Sequence, residues 1–162
     1  MINVSNTSPL TNLAAIGYFD LLRTLYGELH IADAVWRELN ARNQTWPGCD
    51  EVANAAWIHR HTVQNRALVT ALRENLDAGE AETIALAVEL GADMVFMDER
   101  DGRHAARRFG LKPVGVIGIL LEAKAKQQIP NIRPLLDKLR RDAGFYLGEN
   151  LYIATLDSCG ER

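Results

Sequence analysis

The stretch Leu76–Gly110, LDAGEAETIALAVELGADMVFMDERDGRHAARRFG, decides the fold. It reads as helix, strand, helix. Asp77 is placed to cap a helix, and Glu80 follows three residues on, the spacing of a capping box. Ala81, Ile84, Ala85 and Val88 recur at helical spacing and give one apolar face. Gly91 fits the position just past the helix end. Met94–Met97 is a short continuous apolar run, as in a strand buried on both faces. Asp98 stands at the carboxyl end of that strand, the edge where open α/β sheets place their sites.

Upstream, Ile2 and Val4 alternate in a short first strand that ends at Asn6. Ser8-Pro9 reads as an N-cap with proline in the first helical turn. Phe19, Leu22 and Leu25 continue into a second helix, and Leu29 and Ile31 into a second strand. Asp33 is placed to cap the next helix, with Val35, Trp36 and Leu39 as its apolar residues. Residues 41–50 are the least regular stretch, with a turn at Pro47-Gly48. Trp57, Ile58 and Val63 suggest a small strand or an irregular edge, and Ala67–Leu72 a helix. Downstream, Pro113–Val116 is the expected last strand. Helices follow over Ile117–Lys126 and Ile132–Arg141, Gly144 ends the latter, and Leu147–Leu156 closes the chain. Strands alternating with helices predict a three-layer α/β/α sandwich on a mostly parallel sheet. In such a sheet the ends of the first and fourth strands can lie side by side, with helix starts on the same edge.

At 162 residues, one domain spanning 1–162 with a real core is expected, residues 117–162 forming C-terminal helices. The net charge of -3 gives no overall basic field, so a nucleic-acid partner would need a local patch. Cys49 and Cys159 match neither a zinc spacing nor a disulfide framework, and a cytoplasmic location is the default. No signal peptide is expected, and the longest apolar run, Val114–Leu121, is too short to span a bilayer.

The ordered set VSNTSPL (4–10), AVWREL (34–39), LDAGEAETIALAVELGAD (76–93), MDERDGRHAARRFGLKPVGVIGIL (97–120) and GFYLGENLY (144–152) resembles the PIN domain superfamily, most closely the DUF3368 group of small PIN-like proteins. Residues 41–75 match weakly. The resemblance implies a metal-dependent endoribonuclease that cuts single-stranded RNA and leaves 5′-phosphate and 3′-hydroxyl ends. It also implies the toxin half of a type II toxin–antitoxin pair, a small cognate antitoxin and a homodimer. Carried over by position, Glu38, Glu80 and Asp98 are the catalytic acids, and with Asn6 they are the metal ligands. Ser8, Glu99 and Asp101 support them. One or two Mg²⁺ or Mn²⁺ ions are implied.

The chemistry suits those residue types. Two carboxylates in contact cost about 1 kcal/mol in water and about 4 near a protein surface. A hard cation with oxygen ligands removes that cost. Such an ion also acidifies water and stabilises a departing oxygen. Asn6 stands where PIN nucleases usually carry Asp, so its amide oxygen would ligate without adding charge. The rival reading is a catalytically impaired PIN-like module that only binds RNA or protein. A further rival, a receiver-type phosphotransfer domain, needs an acid that Asn6 denies at the first strand.

Each residue also has a plainer role. Glu80 completes a capping box, Asp98 can cap the following helix, Glu38 suits a solvated helix face, and Asn6 suits a turn. Arg103 and Arg107 share a helix face and, with Arg100, could hold phosphates; equally, Arg107 and Arg108 favour the helix C-terminus. His59 and His61 could share a strand face, but no third ligand is apparent. Trp36, Trp46 and Trp57 read as core or interface anchors.

Overall fold

A computed structural model describes residues 1–41 and 47–162. Trp46 lies outside the described residues. The chain order is β1 (Asn3–Ser5), α1 (Thr7–Ala15), α2 (Leu21–Tyr26), β2 (Leu29–Ala32), α3 (Asp33–Leu39) and α4 (Cys49–Ala53). It continues with β3 (Ile58–His61), α5 (Arg66–Leu72), α6 (Ala78–Leu90), β4 (Met94–Phe96) and α7 (Arg100–Arg108). The last elements are β5 (Lys112–Val114), α8 (Val116–Ala125), α9 (Arg133–Arg141) and α10 (Glu149–Ser158).

The five strands form one sheet in the order β3-β2-β1-β4-β5, every pair parallel. Burial on both faces explains the continuous apolar run of β4. One face packs Leu10, Leu22, Leu29, Ile31, Phe96, Leu120 and Leu136 into the larger core. The other packs Val4, Ala32, Val95 and Met97 against Ala81, Ile84 and Ala85 of α6. This is the three-layer sandwich the alternation of elements predicts.

The strand order reverses between β1 and β4, which pair through Asn3–Met94, Val4–Val95 and Ser5–Phe96. That reversal is the switch point at which α/β sheets open a crevice beyond their strand ends. Asn6 leaves β1 there, its N–H donating to Phe96 O at 2.9 Å.

Several boundaries differ from the sequence reading by a residue or two. α1 begins at Thr7, so Asn6 occupies the N-cap position and Ser8 lies inside the first turn. α3 follows β2 with no loop, so Asp33 is its first residue; the Asp33 carboxylate instead binds Arg60 Nε at 2.6 Å and Thr62 Oγ1 at 2.7 Å. β5 ends at Val114, because Gly115 is already the N-cap of α8. The segment at 58–61 is a full edge strand, paired to β2 along its length.

Candidate active site

Asn6, Thr7, Ser8, Glu38, Asp77 and Glu99 line one cavity of about 290 Å³ above the β1–β4 junction. Among the described residues no basic side chain lines it. α1 brings Thr7 and Ser8, α3 brings Glu38, the start of α6 brings Asp77, and the turn after β4 brings Glu99.

Glu99 is the meeting point of this site. It accepts from Asn6 Nδ2 at 3.2 Å and from Ser8 Oγ at 2.8 Å. The first bond orients the Asn6 amide and leaves Oδ1 buried, without a hydrogen-bond partner among the described residues. A buried acceptor left unpaired is costly, and it is the kind of atom a cation satisfies.

Glu38 accepts from the Thr7 hydroxyl and rests against the start of α6, where a Cβ on Gly79 would collide with its carboxylate. Its carboxyl is pushed up from the ordinary range by burial, and Asp77 and Glu99 add to the push. The Thr7 and Gly79 donors oppose that shift. The amide end of a helix suits an anion there.

The capping box forms as its spacing predicts: Glu80 N–H donates to Asp77 Oδ1 at 2.8 Å, and Asp77 N–H to Glu80 Oε1 at 3.3 Å. Glu80 also carries a raised pKa of about 7. Burial is the main cause, with Asp77 and Glu99 nearby. A Cβ on Gly102 of α7 would stand 3.0 Å from Glu80 Oε2, so that glycine leaves room for the carboxylate.

Asp98 is placed differently. Its Oδ1 accepts from Val116 N–H, the first residue of α8, at 2.8 Å. It lines a separate cavity of about 450 Å³ with Arg103, Gly115, Phe145 and Leu151. Burial raises its pKa to about 6, against the Val116 N–H, which lowers it. Glu99 also raises it, while Arg103 and Asn12 lower it. The structure therefore gathers Asn6, Ser8, Glu38 and Glu99 in one cavity, sets Glu80 beside Asp77, and ties Asp98 Oδ1 to α8. Asp98 Oδ2, like Asn6 Oδ1, is buried without a hydrogen-bond partner among the described residues. Asp101 is exposed at the start of α7.

Arg103 is half-buried and donates to Met97 O at 3.1 Å, which ties it to the turn after β4. Arg100 and Arg107 are exposed on α7. His59 and His61 gain the third imidazole that spacing could not show: His30 Nδ1 lies 2.8 Å from His61 Nε2 across the β2–β3 pair. Among the described residues, however, no three His, Cys, Asp or Glu side chains converge on a point where an ion would sit. Trp36 and Trp57 are partly buried against the larger core, as expected of anchors.

The sequence reading passed over Thr7, Gly79 and the cavity-facing role of Asp77. Gly79 carried the available signal, because glycine in the first turn of a strong helix needs a packing reason.

A parallel sheet with acidic side chains clustered at its switch point defines an α/β fold built to act at that edge. The DUF3368 family model, a PIN domain, matches residues 2–161, and the chain belongs to that family. PIN domains are generally nucleases that use divalent metals. Among curated proteins, none matches the chain. Among the described residues no helix is long and apolar enough to cross a membrane.

Proposed function

We propose that the protein is a Mg²⁺- or Mn²⁺-dependent endoribonuclease acting on single-stranded RNA, in the cytoplasm, as the toxin of a toxin–antitoxin pair. The observation that carries this reading is the acidic cavity: Glu38, Asp77 and Glu99 share it with a buried Asn6 oxygen that has no hydrogen-bond partner, and with no basic lining residue, among the described residues. Oxygen donors and uncompensated carboxylates suit a hard divalent ion by their chemistry, while among the described residues the three acids do not converge on a single point as they stand. Glu38, Glu99 and Asn6 Oδ1 would hold it, with Asp77 and Glu80 next in line. A bound ion would supply Lewis-acid stabilisation and a more acidic water at the scissile phosphate.

The chain's own groups have separate duties. Thr7 and the start of α6 hold Glu38, and Ser8 and Asn6 hold Glu99. Glu80, with a pKa near 7, can exchange a proton at neutral pH. Asp98 fixes the turn after β4 to α8 and so holds Glu99 on the cavity side; it is a positioning residue in this reading. The small antitoxin and a homodimer are part of the same proposal and rest on family resemblance alone.

The impaired-module reading rests on one observation. Asn6 spends its amide on Glu99, which lowers the need for an ion between them. Cleavage of a long single-stranded RNA by partner-free protein, with Mn²⁺, Mg²⁺ or EDTA, decides between the two. The nuclease cuts with metal only and loses activity in Glu38→Gln. Folded, partner-free protein that leaves RNA intact supports the impaired module.

A further inference from the structure

We propose that Arg37 and Arg66 form a phosphate-binding site for the RNA strand, one step along the α3–α6 seam from the acidic cavity; this deepens the nuclease reading and rests on it. Glu82 of α6 is nearly fully buried, with 3% of its side chain exposed. Its Oε1 accepts from Ala34 N–H at 3.1 Å. Its Oε2 faces two guanidiniums at once, Arg37 Nη2 at 3.4 Å and Arg66 Nη1 at 3.3 Å. One carboxylate cannot neutralise two guanidiniums, so a positive charge is left over. Both contacts are long, and the arginine side chains are 62% and 59% exposed, which leaves most of their donors facing solvent. Two guanidiniums anchored on one buried carboxylate are pre-organised for a phosphate.

The neighbouring charges do not cancel the surplus. Asp33 binds Arg60 at 2.6 Å and also feels the charge of Arg37. Among these groups two carboxylates, Asp33 and Glu82, thus meet three guanidiniums, and Arg60 lies over the Trp36 ring at 5.2 Å. Glu89, about 10 Å further along α6, accepts from the N–H groups of Gln64 and Asn65.

Position connects this pair to the cavity. Glu38 rests on Gly79, and Arg37 holds Glu82 three residues further along the same helix. That is roughly 4.5 Å of rise along α6. The arginine pair therefore lies beside the acidic cavity on the α3–α6 seam, where a strand leaving the cavity can place a phosphate. Of the α7 arginines, Arg103 is tied to Met97 O, and Arg100 and Arg107 are exposed.

The test is fluorescence anisotropy of a labelled single-stranded RNA with the full chain in EDTA, across a salt series. Arg37→Ala and Arg66→Ala should each weaken binding about tenfold, the worth of one charge-assisted hydrogen bond. Each should flatten the log–log salt slope by about 0.7. Glu82→Gln keeps the Ala34 contact and removes the buried charge, so it should tighten binding in folded protein. Wild-type affinity and slope in all three folded variants would overturn the site and make the arginines partners of Glu82 only. Competition by a mononucleotide equal to that by the RNA would overturn its assignment to a strand. Loss of arginine dependence with metal-dependent cleavage intact defeats this site alone. Arginine-dependent binding without cleavage defeats the nuclease reading alone.

Discussion

Asn6 sets the electrostatics of the cavity. Its amide donates to Glu99, so an Asp there would face a carboxylate at hydrogen-bond distance. With no ion between them, that repulsion is of order 4 kcal/mol near a protein surface. Asn6→Asp is therefore expected to lower the melting temperature by several degrees in EDTA and to tighten Mn²⁺ binding at least tenfold, read by thermal shift and calorimetry. A variant as stable as wild type in EDTA, with unchanged affinity, would place Asn6 away from the ion. At this scale the sequence was only partly legible. The Asp77–Glu80 capping box was readable because it is local, three residues from cap to acid. The choice between Asp98 and Glu99 was not. Both acids lie in the turn after β4, outside the strand, where neither strand nor helix periodicity says which way a side chain points. His30 was hidden for a related reason, since its neighbours depend on β2–β3 pairing.

Among the elements, α6 does the most to shape the site. Gly79 lets α3 come close enough for Glu38 to reach the first turn of α6. Gly79→Ala gains up to about 1 kcal/mol of helix propensity, but its methyl group would sit in the Glu38 carboxylate. The expected outcome is a folded protein with melting within a few degrees of wild type and with metal-dependent activity lost. Full activity would show that Glu38 can act from another position. Helix α3 also explains why Asp33 is not a cap. It continues from β2 without a loop, so Asp33 turns to Arg60 on the neighbouring strand. Periodicity gave the helix, but only the missing loop fixes its first residue.

For the whole molecule, the sheet and its layers were legible because apolar runs and helical faces alternate along most of the chain. That alternation allowed the first and fourth strands to lie side by side without fixing the strand order; the sheet pairs them and brings Asn6 and the end of β4 together. The acids then make stability depend on pH in a stated direction. Folding raises the pKa of Glu80 to about 7 and of Asp98 to about 6, and raises that of Glu38. The folded chain thus keeps protons that the unfolded chain has released. That stability is complete below the ordinary carboxylate range and is lost as pH rises through about 6 to 7. Without metal, the melting temperature should fall between pH 5 and 8 on this account, where those bounds are roughly the window the shifts define. Glu80→Gln should recover about 2–4 °C at the upper end, roughly 1 kcal/mol after solvent screening. A melting temperature that climbs through this window in wild type, with no gain in the variant, would mean these acids are not strained.

The cavity's role as a cation site turns on Glu99, and calorimetric titration of Mn²⁺ into wild type, Glu99→Gln and Asp98→Asn tests it most directly. Binding lost in Glu99→Gln and retained in Asp98→Asn is the expected result. Binding retained in Glu99→Gln and lost in folded Asp98→Asn would contradict it, and would move the ion to the cavity beside α8.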